Sequence, residues 1–170
     1  ARSVTRTAPL PVRDGAPPEF TTADAEGLGI RTLLYTATTF YSCCGDFKNL
    51  NRINNIHRMA DEVNGAIVMP DQVFSLNEYV GKRTVEDGYR PAGAVVGQIV
   101  YCCDHPANIG GGVSQFTTTL YNAIWWTGLE DVRHTPHTLY FTRYPMVREA
   151  TLGYPTPDLQ FRNDTPNAIY

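Results

Sequence analysis

The stretch from Asn108 to Gly128, NIGGGVSQFTTTLYNAIWWTG, constrains the fold more than any other part of the chain. Val113, Phe116, Leu120, Ala123 and Ile124 recur at three- and four-residue steps, so they share one face of a helix. Tyr121 and Trp125 widen the band until the second half is apolar nearly all round. That pattern predicts a buried helix from Ser114 to Thr127, stopped by Gly128. Glycines at its head let the backbone approach a ligand closely. The first turn of a helix also offers unpaired N–H groups and partial positive charge, where an anion or a developing oxyanion is stabilised. Ser114 stands at that point. Read plainly, it is an N-cap. Read for chemistry, it is a nucleophile that needs a base within hydrogen-bond reach and a third group to orient the base.

At 170 residues the chain is one domain's worth and can bury a real core. A net charge of −3, with no Lys/Arg cluster, excludes the electrostatic footprint of a nucleic-acid binder. No apolar run reaches membrane-spanning length. The chain reads as a piece of a longer protein, because residues 1–27 are loop-like and a strand is starting at its last residues. The cysteines come as two adjacent pairs, Cys43–Cys44 and Cys102–Cys103. Neither pair has a zinc spacing. Beside Gly45-Asp46 and Asp104-His105 they read as loop-sited disulfide partners of an exported protein, one pair against the other. A vicinal disulfide and four free thiols are the alternatives.

Along the chain, Pro9, Pro11, Pro17 and Pro18 make residues 1–27 a linker that ends in a short turn. Ile30–Tyr41 is β-branched and aromatic, and predicts a strand. Asn49–Asn64 predicts a helix with Leu50, Ile53, Ile56, His57, Ala60 and Val63 as its buried stripe, and with His57 as a satisfied core histidine. Phe74, Leu76 and Tyr79 read as core-facing. Val95–Tyr101 reads as a strand buried on both faces. Asn77, Lys82, Arg83 and Glu86 form a polar island between them, which reads as a solvated loop. Beyond Gly128, LEDVRHTPHTLYFTRYP, ATLGYP and DLQFRN give three short strand signals.

These elements predict an α+β domain, with a central buried helix packed on a mainly antiparallel sheet. Ser114 at the helix head, His137 opening a later strand and Asp158 further on follow the order of nucleophile, base and carboxylate in papain-like and transglutaminase-like folds. His134 and His137 flank Pro136 and suggest a metal pair only weakly, since extended residues so placed point apart and no third ligand is evident. No metal or other cofactor is expected.

Three segments, FSLNEYVGKRTVEDGYRPAGAVV, IGGGVSQFTTTLYNA and PHTLYFTRYPMVREATLGYPTPDLQFRND, occur in the order found in VanW domains. From about Leu28 to its end the chain resembles that family of Gram-positive surface proteins, named from glycopeptide-resistance gene clusters. The resemblance implies an extracytoplasmic location in the cell wall or at the cell surface, other domains in a longer surface protein, and the peptide stems of peptidoglycan as partner. Some members are L,D-transpeptidases that work through a cysteine thioester. Their cysteine, in GGGVCQ, corresponds to Ser114, their histidine to His137 and their Arg–Asp/Glu pair to Arg148 and Glu149. The GGGVSQ form is associated with actinobacterial members.

The expected mechanism has Ser114 attack a peptide carbonyl while His137 takes the proton and Glu149 or Asp158 orients it. Amides around Gly112 to Gln115 hold the oxyanion, and Arg148 or Arg83 grips a substrate carboxylate. Gly111, Asn77 and Tyr144 complete the candidate substrate-binding set. The rival reading is a non-catalytic wall-binding, adhesion or scaffold module in which Ser114 is a cap.

Overall fold

The structure, a computed structural model, describes residues 20–41, 49–96, 99–101 and 108–170. Cys43, Cys44, Cys102 and Cys103 lie outside these residues, and so does any pairing among them. In chain order the elements are α1 (Thr22–Gly27), α2 (Leu50–Val63), β1 (Val73–Ser75), α3 (Leu76–Val80), β2 (Ala94–Val96), β3 (Ile99–Tyr101), α4 (Val113–Thr127), β4 (Glu130–Arg133) and β5 (Gln160–Arg162). β1, β5 and β4 form an antiparallel sheet with β5 in the middle. Phe161 of β5 sits opposite Phe74 of β1, and their rings meet at 5.3 Å. α4 packs against α2. Met59, Leu76, Tyr121, Ile124, Leu159 and Phe161 join helices and sheet in one core. The expected α+β class is what forms, helices with a small antiparallel sheet.

Several local expectations are corrected. Thr21 and Asp24 build a reciprocal capping box that starts α1 inside the stretch expected to be linker and turn. Residues 30–41 form no strand but a strap without a sheet partner among the described residues. Polar side chains hold the strap to α4: Thr39 Oγ1 bonds Thr119 Oγ1 at 2.7 Å, and Gln115 Nε2 donates to Phe40 O. At the other end Tyr35 stacks on Trp126. An apolar groove of ≈ 950 Å³ remains between strap and helix, and Leu120 lines it.

The run 95–101 is no single buried strand. It divides into β2 and β3, which pair with each other, and Ile99 and Val100 are more than half exposed. Tyr79 is exposed, although it touches Phe74. The segments around 138–143 and 150–155 make no strand.

α2 spans the predicted range with its buried face rotated. Asn55, Ile56 and Met59 are inside, whereas Leu50 and His57 are exposed. Asn55 is the reason: its amide bonds Arg90 on both N and O and also donates to Gly111 O. A buried polar side chain is stable when it satisfies backbone groups that would otherwise be orphaned. His57 is satisfied at the surface by Tyr41 Oη, at 2.7 Å.

Candidate functional site

The Asn108–Gly112 turn is built on close backbone contact. Gly111 N–H and Ala92 N–H both donate to Asn108 O. A Cβ on Gly111 would lie 2.3 Å from Ala92 O, so no side chain fits there. Gly112, with φ of 99°, is the N-cap of α4, and the stem of Arg52 covers it. The glycines thus serve the approach of the chain to itself. Ser114 is not the cap; it lies within the first turn of α4.

α4 is buried on a polar face as well as an apolar one. Four of its seven buried residues, Gln115, Thr117, Thr118 and Asn122, are polar, while Trp125 and Trp126 are half exposed. The expectation of an all-round apolar second half is corrected by this. What covers the polar face is the extended segment 148–152. Asn122 Nδ2 donates to Arg148 O, Thr118 Oγ1 both donates to Ala150 O and accepts from Ala150 N–H, and Ser114 Oγ accepts from Leu152 N–H. Four residues of helix rise about 6 Å and two extended residues about 6.6 Å. Side chains at every fourth helical position therefore meet every second residue of an antiparallel extended chain. Ser114, Thr118 and Asn122 are three rungs of one ladder.

The alternate backbone groups of this segment turn the other way. Thr151 N–H and Thr151 Oγ1 both donate to Thr135 O, which fastens the stretch that carries His137. His137 Nδ1 lies 2.6 Å from Glu149 Oε2, and both side chains are more than nine-tenths buried. The imidazole stacks on Tyr144 at 5.4 Å and meets Phe141 edge-on at 4.9 Å. Burial lowers the His137 pKa below its ordinary value, Glu149 opposes this, and the Arg143 charge adds to the lowering. A neutral ring whose Nδ1–H is held by a carboxylate presents Nε2 as an acceptor. His137 and Glu149 also line a pocket of ≈ 210 Å³ with Pro136, Leu139 and Val147.

Among the described residues, Ser114 Oγ is hydrogen-bonded to Leu152 N–H and not to His137. Two routes tie them together: the four residues from Glu149 to Leu152, and a chain of side chains. In the second, Arg52 donates to Gln115 Oε1 at the helix head and has its charge favoured by Tyr144, which stacks on His137. The N–H groups of Val113 and Gln115 are used within the turn, on Gly110 O and Gly112 O. Those of Gly112 and Ser114 have no acceptor among the described residues.

The other sequence candidates have structural partners. Asp158 lies apart from the histidine and caps α3: Asn77 N–H and Leu159 N–H donate to Oδ1, and Ser75 Oγ and Gln160 Nε2 donate to Oδ2. Asn77 and Arg83, expected in a solvated loop, are buried. Arg83 donates to Asn77 Oδ1 and Gly81 O and backs the glycine turn at Gly110. Arg148 donates to Asn122 Oδ1 and lies over Trp126. The Gln115 amide is engaged on both sides, by Arg52 and by Thr39 and Phe40. His134 bonds Asp131 at 2.7 Å and stacks on Tyr121, so the two histidines serve different carboxylates. No group suited to a metal ion is found among the described residues. Sequence reasoning missed Arg52 and Arg143. The ladder's polar period of four, 114–118–122, was the one signal available for the helix packing.

Comparison with known proteins gives the family. Residues 51–170 match the family described as VanW like protein. The chain belongs to the VanW-like family. It is 34% identical over 116 residues to a Bacillus subtilis (strain 168) protein described as uncharacterized protein YoaR, covering 68% of this chain and 36% of that protein. The chain therefore spans about a third of that relative's length. No solved structure matches. The VanW match takes in α2 with Arg52, the glycine turn, α4, His137 and Glu149, whereas the strap at 30–41 precedes it. No helix among the described residues is long and apolar enough to cross a membrane.

Proposed function

We propose that this VanW domain works outside the cytoplasm, in the cell wall, and performs acyl transfer on peptidoglycan stem peptides through Ser114. The buried His137–Glu149 pair carries the reading, since two ionisable side chains held together and desolvated beside a pocket are costly unless they have a task. Ser114 Oγ accepts a hydrogen bond from Leu152, and that leaves its own proton available to a base. In the reaction the Oγ–C bond forms as the proton passes to His137 Nε2. The amides of Gly112 and Ser114 stabilise the oxyanion, and on collapse the scissile C–N bond breaks while His137 returns the proton to the leaving amine. Glu149 orients the ring throughout. The order Ser114, His137, carboxylate is the papain-like one, with Glu149 rather than Asp158 as orienter.

A second reading rests on the ladder. Ser114 is its terminal rung, which suits a module that binds wall peptides without turning them over. Intact-protein mass after incubation with muropeptides separates the two. A serine adduct that disappears in Ser114→Ala and His137→Ala supports acyl transfer. Binding that survives Ser114→Ala, with an adduct only in Ser114→Cys, supports the binding module. Neither adduct nor binding in any form would remove the wall-peptide reading.

A further inference from the structure

Pro145, Met146, Val147 and Arg148 make a β-turn, closed by Arg148 N–H donating to Pro145 O at 3.2 Å. Of its two central residues only Val147 has a positive φ, 69°. A turn of that pattern is type II, which asks for glycine at its third position. Valine is poorly suited there, because its branched Cβ crowds the backbone in the left-handed region. The other non-glycine residue with positive φ among the described residues is Asp71, a residue type that tolerates it. Val147 is 81% exposed, so burial in the core does not offset its strain. The turn is nonetheless held on both sides. Tyr144 before it is buried and stacks on His137. Arg148 after it donates from Nε to Asn122 Oδ1 and accepts Asn122 Nδ2–H on its carbonyl.

A strained residue that its neighbours hold in place, yet that the core does not need, points to a function at that spot. Val147 lines the ≈ 210 Å³ pocket of His137 and Glu149, and Pro136, Leu139 and Tyr140 extend its apolar wall. That volume is smaller than pockets that enclose a whole small molecule, so it suits one group of a larger ligand. The pocket's carboxylate, Glu149, is buried and engaged by His137 Nδ1 at 2.6 Å. A charged side chain would be dehydrated there without a free opposite charge in the lining. An aliphatic one gains by leaving water. We infer that Val147 is a specificity-determining residue: with Pro136 and Leu139 it walls a subsite for an uncharged aliphatic side chain of the ligand, held beside His137.

That this side chain belongs to a peptide being transferred rests on the acyl-transfer reading above; the subsite itself does not. The test titrates the protein with N-acetyl-leucinamide, N-acetylglycinamide and N-acetyl-lysinamide, with the Val147 methyl and His137 ring signals followed by NMR. The leucine probe should shift both sets of signals saturably, and the other two should bind about tenfold more weakly. Val147→Gly should weaken the leucine probe by about tenfold, read on the His137 signals, through loss of one aliphatic wall. The same substitution should raise the melting temperature, because relief of the turn outweighs the freedom that glycine adds to the unfolded chain. Val147→Ile keeps the branched wall and should keep the preference for leucine. No binding, equal binding of the three probes, an unchanged affinity in Val147→Gly, or a melting temperature that this substitution does not raise would overturn the inference. Failure of the acyl-transfer reading looks different: the leucine preference and its loss in Val147→Gly both hold, yet muropeptides leave no adduct on Ser114.

Discussion

Replacing Thr118 by valine isolates the ladder from everything else in the fold. Thr118 and Ala150 are both wholly buried, and the threonine hydroxyl donates to Ala150 O at 3.0 Å and accepts Ala150 N–H at 3.2 Å. Valine puts a methyl where the hydroxyl was and changes volume little, so cavity and crowding effects stay small. What remains is a buried N–H and a buried C=O with neither water nor protein to bond. Each such group costs about 1–3 kcal/mol. Some relaxation of segment 148–152 is available, because its neighbours Arg148 and Leu152 hang on separate rungs, so we expect about 2–4 kcal/mol in all. For a chain of this length that lowers the melting temperature by roughly 5–15 °C. Urea unfolding should show a lower midpoint with an unchanged slope. Thr118→Ser is the control, since it keeps both hydrogen bonds and gives up one methyl, about 1 kcal/mol. A valine variant as stable as the serine variant would refute the ladder as a stabilising device.

Three further outcomes follow from the same geometry. Gly111→Ala should destabilise the fold by about 2–3 kcal/mol or prevent folding, because the new Cβ meets the Ala92 backbone rather than a side chain that can swing away; a melting curve superimposable on wild type would contradict this. The lowered His137 pKa means that the unfolded chain binds more protons than the folded one between the folded value and 6.5. Stability should therefore be complete above 6.5 and fall as pH drops below it, and His137→Gln should flatten that slope in urea midpoints measured from about pH 5 to 8. Ser114→Cys should lose about 1 kcal/mol, because sulfur is a poor acceptor for Leu152 N–H, while alkylation by iodoacetamide should show a thiol more reactive than a free cysteine.

The central helix could be read from its period, and the α2 helix from its own, because burial of an apolar stripe is written directly in the spacing of side chains. Family motifs brought His137 and Glu149 into the candidate set but left Asp158 open beside Glu149; the structure pairs His137 with Glu149. What escaped was governed by polar side chains that satisfy distant backbone. Asn55 turned α2's buried face because of Arg90 and Gly111, and nothing near Asn55 in sequence announces those partners. The same holds for Asn77 and Arg83, which read as a solvated island and are buried against Pro155 and Gly81 carbonyls. The apolar run at 95–101 shows the opposite failure: hydrophobicity implied burial, while the hairpin leaves Ile99 and Val100 facing outward. The strap at 30–41 has strand-like residues and no partner strand among the described residues, where its bonds go to helix side chains.

On the acyl-transfer proposal, the ladder also bears on what a serine rather than a cysteine at position 114 would mean. The segment 148–152 has α4 along one edge and Thr135 along the other, and Glu149 leaves it between the two. Whatever holds this segment against α4 sets where Glu149 holds His137. Ser114 is the rung nearest the glycine turn, so its acceptor role fixes the end of the segment closest to its own hydroxyl. A cysteine in that place trades this anchor for an acidic thiol next to an imidazole and a helix N-terminus. Serine keeps the anchor and asks more of the base, since the alcohol proton leaves only as the bond to carbon forms. A desolvated, carboxylate-held histidine is the kind of base such an alcohol requires. On the acyl-transfer proposal, the residue at 114 and the burial of the His137–Glu149 pair would be two halves of one choice, a stiffer site accompanying the weaker nucleophile.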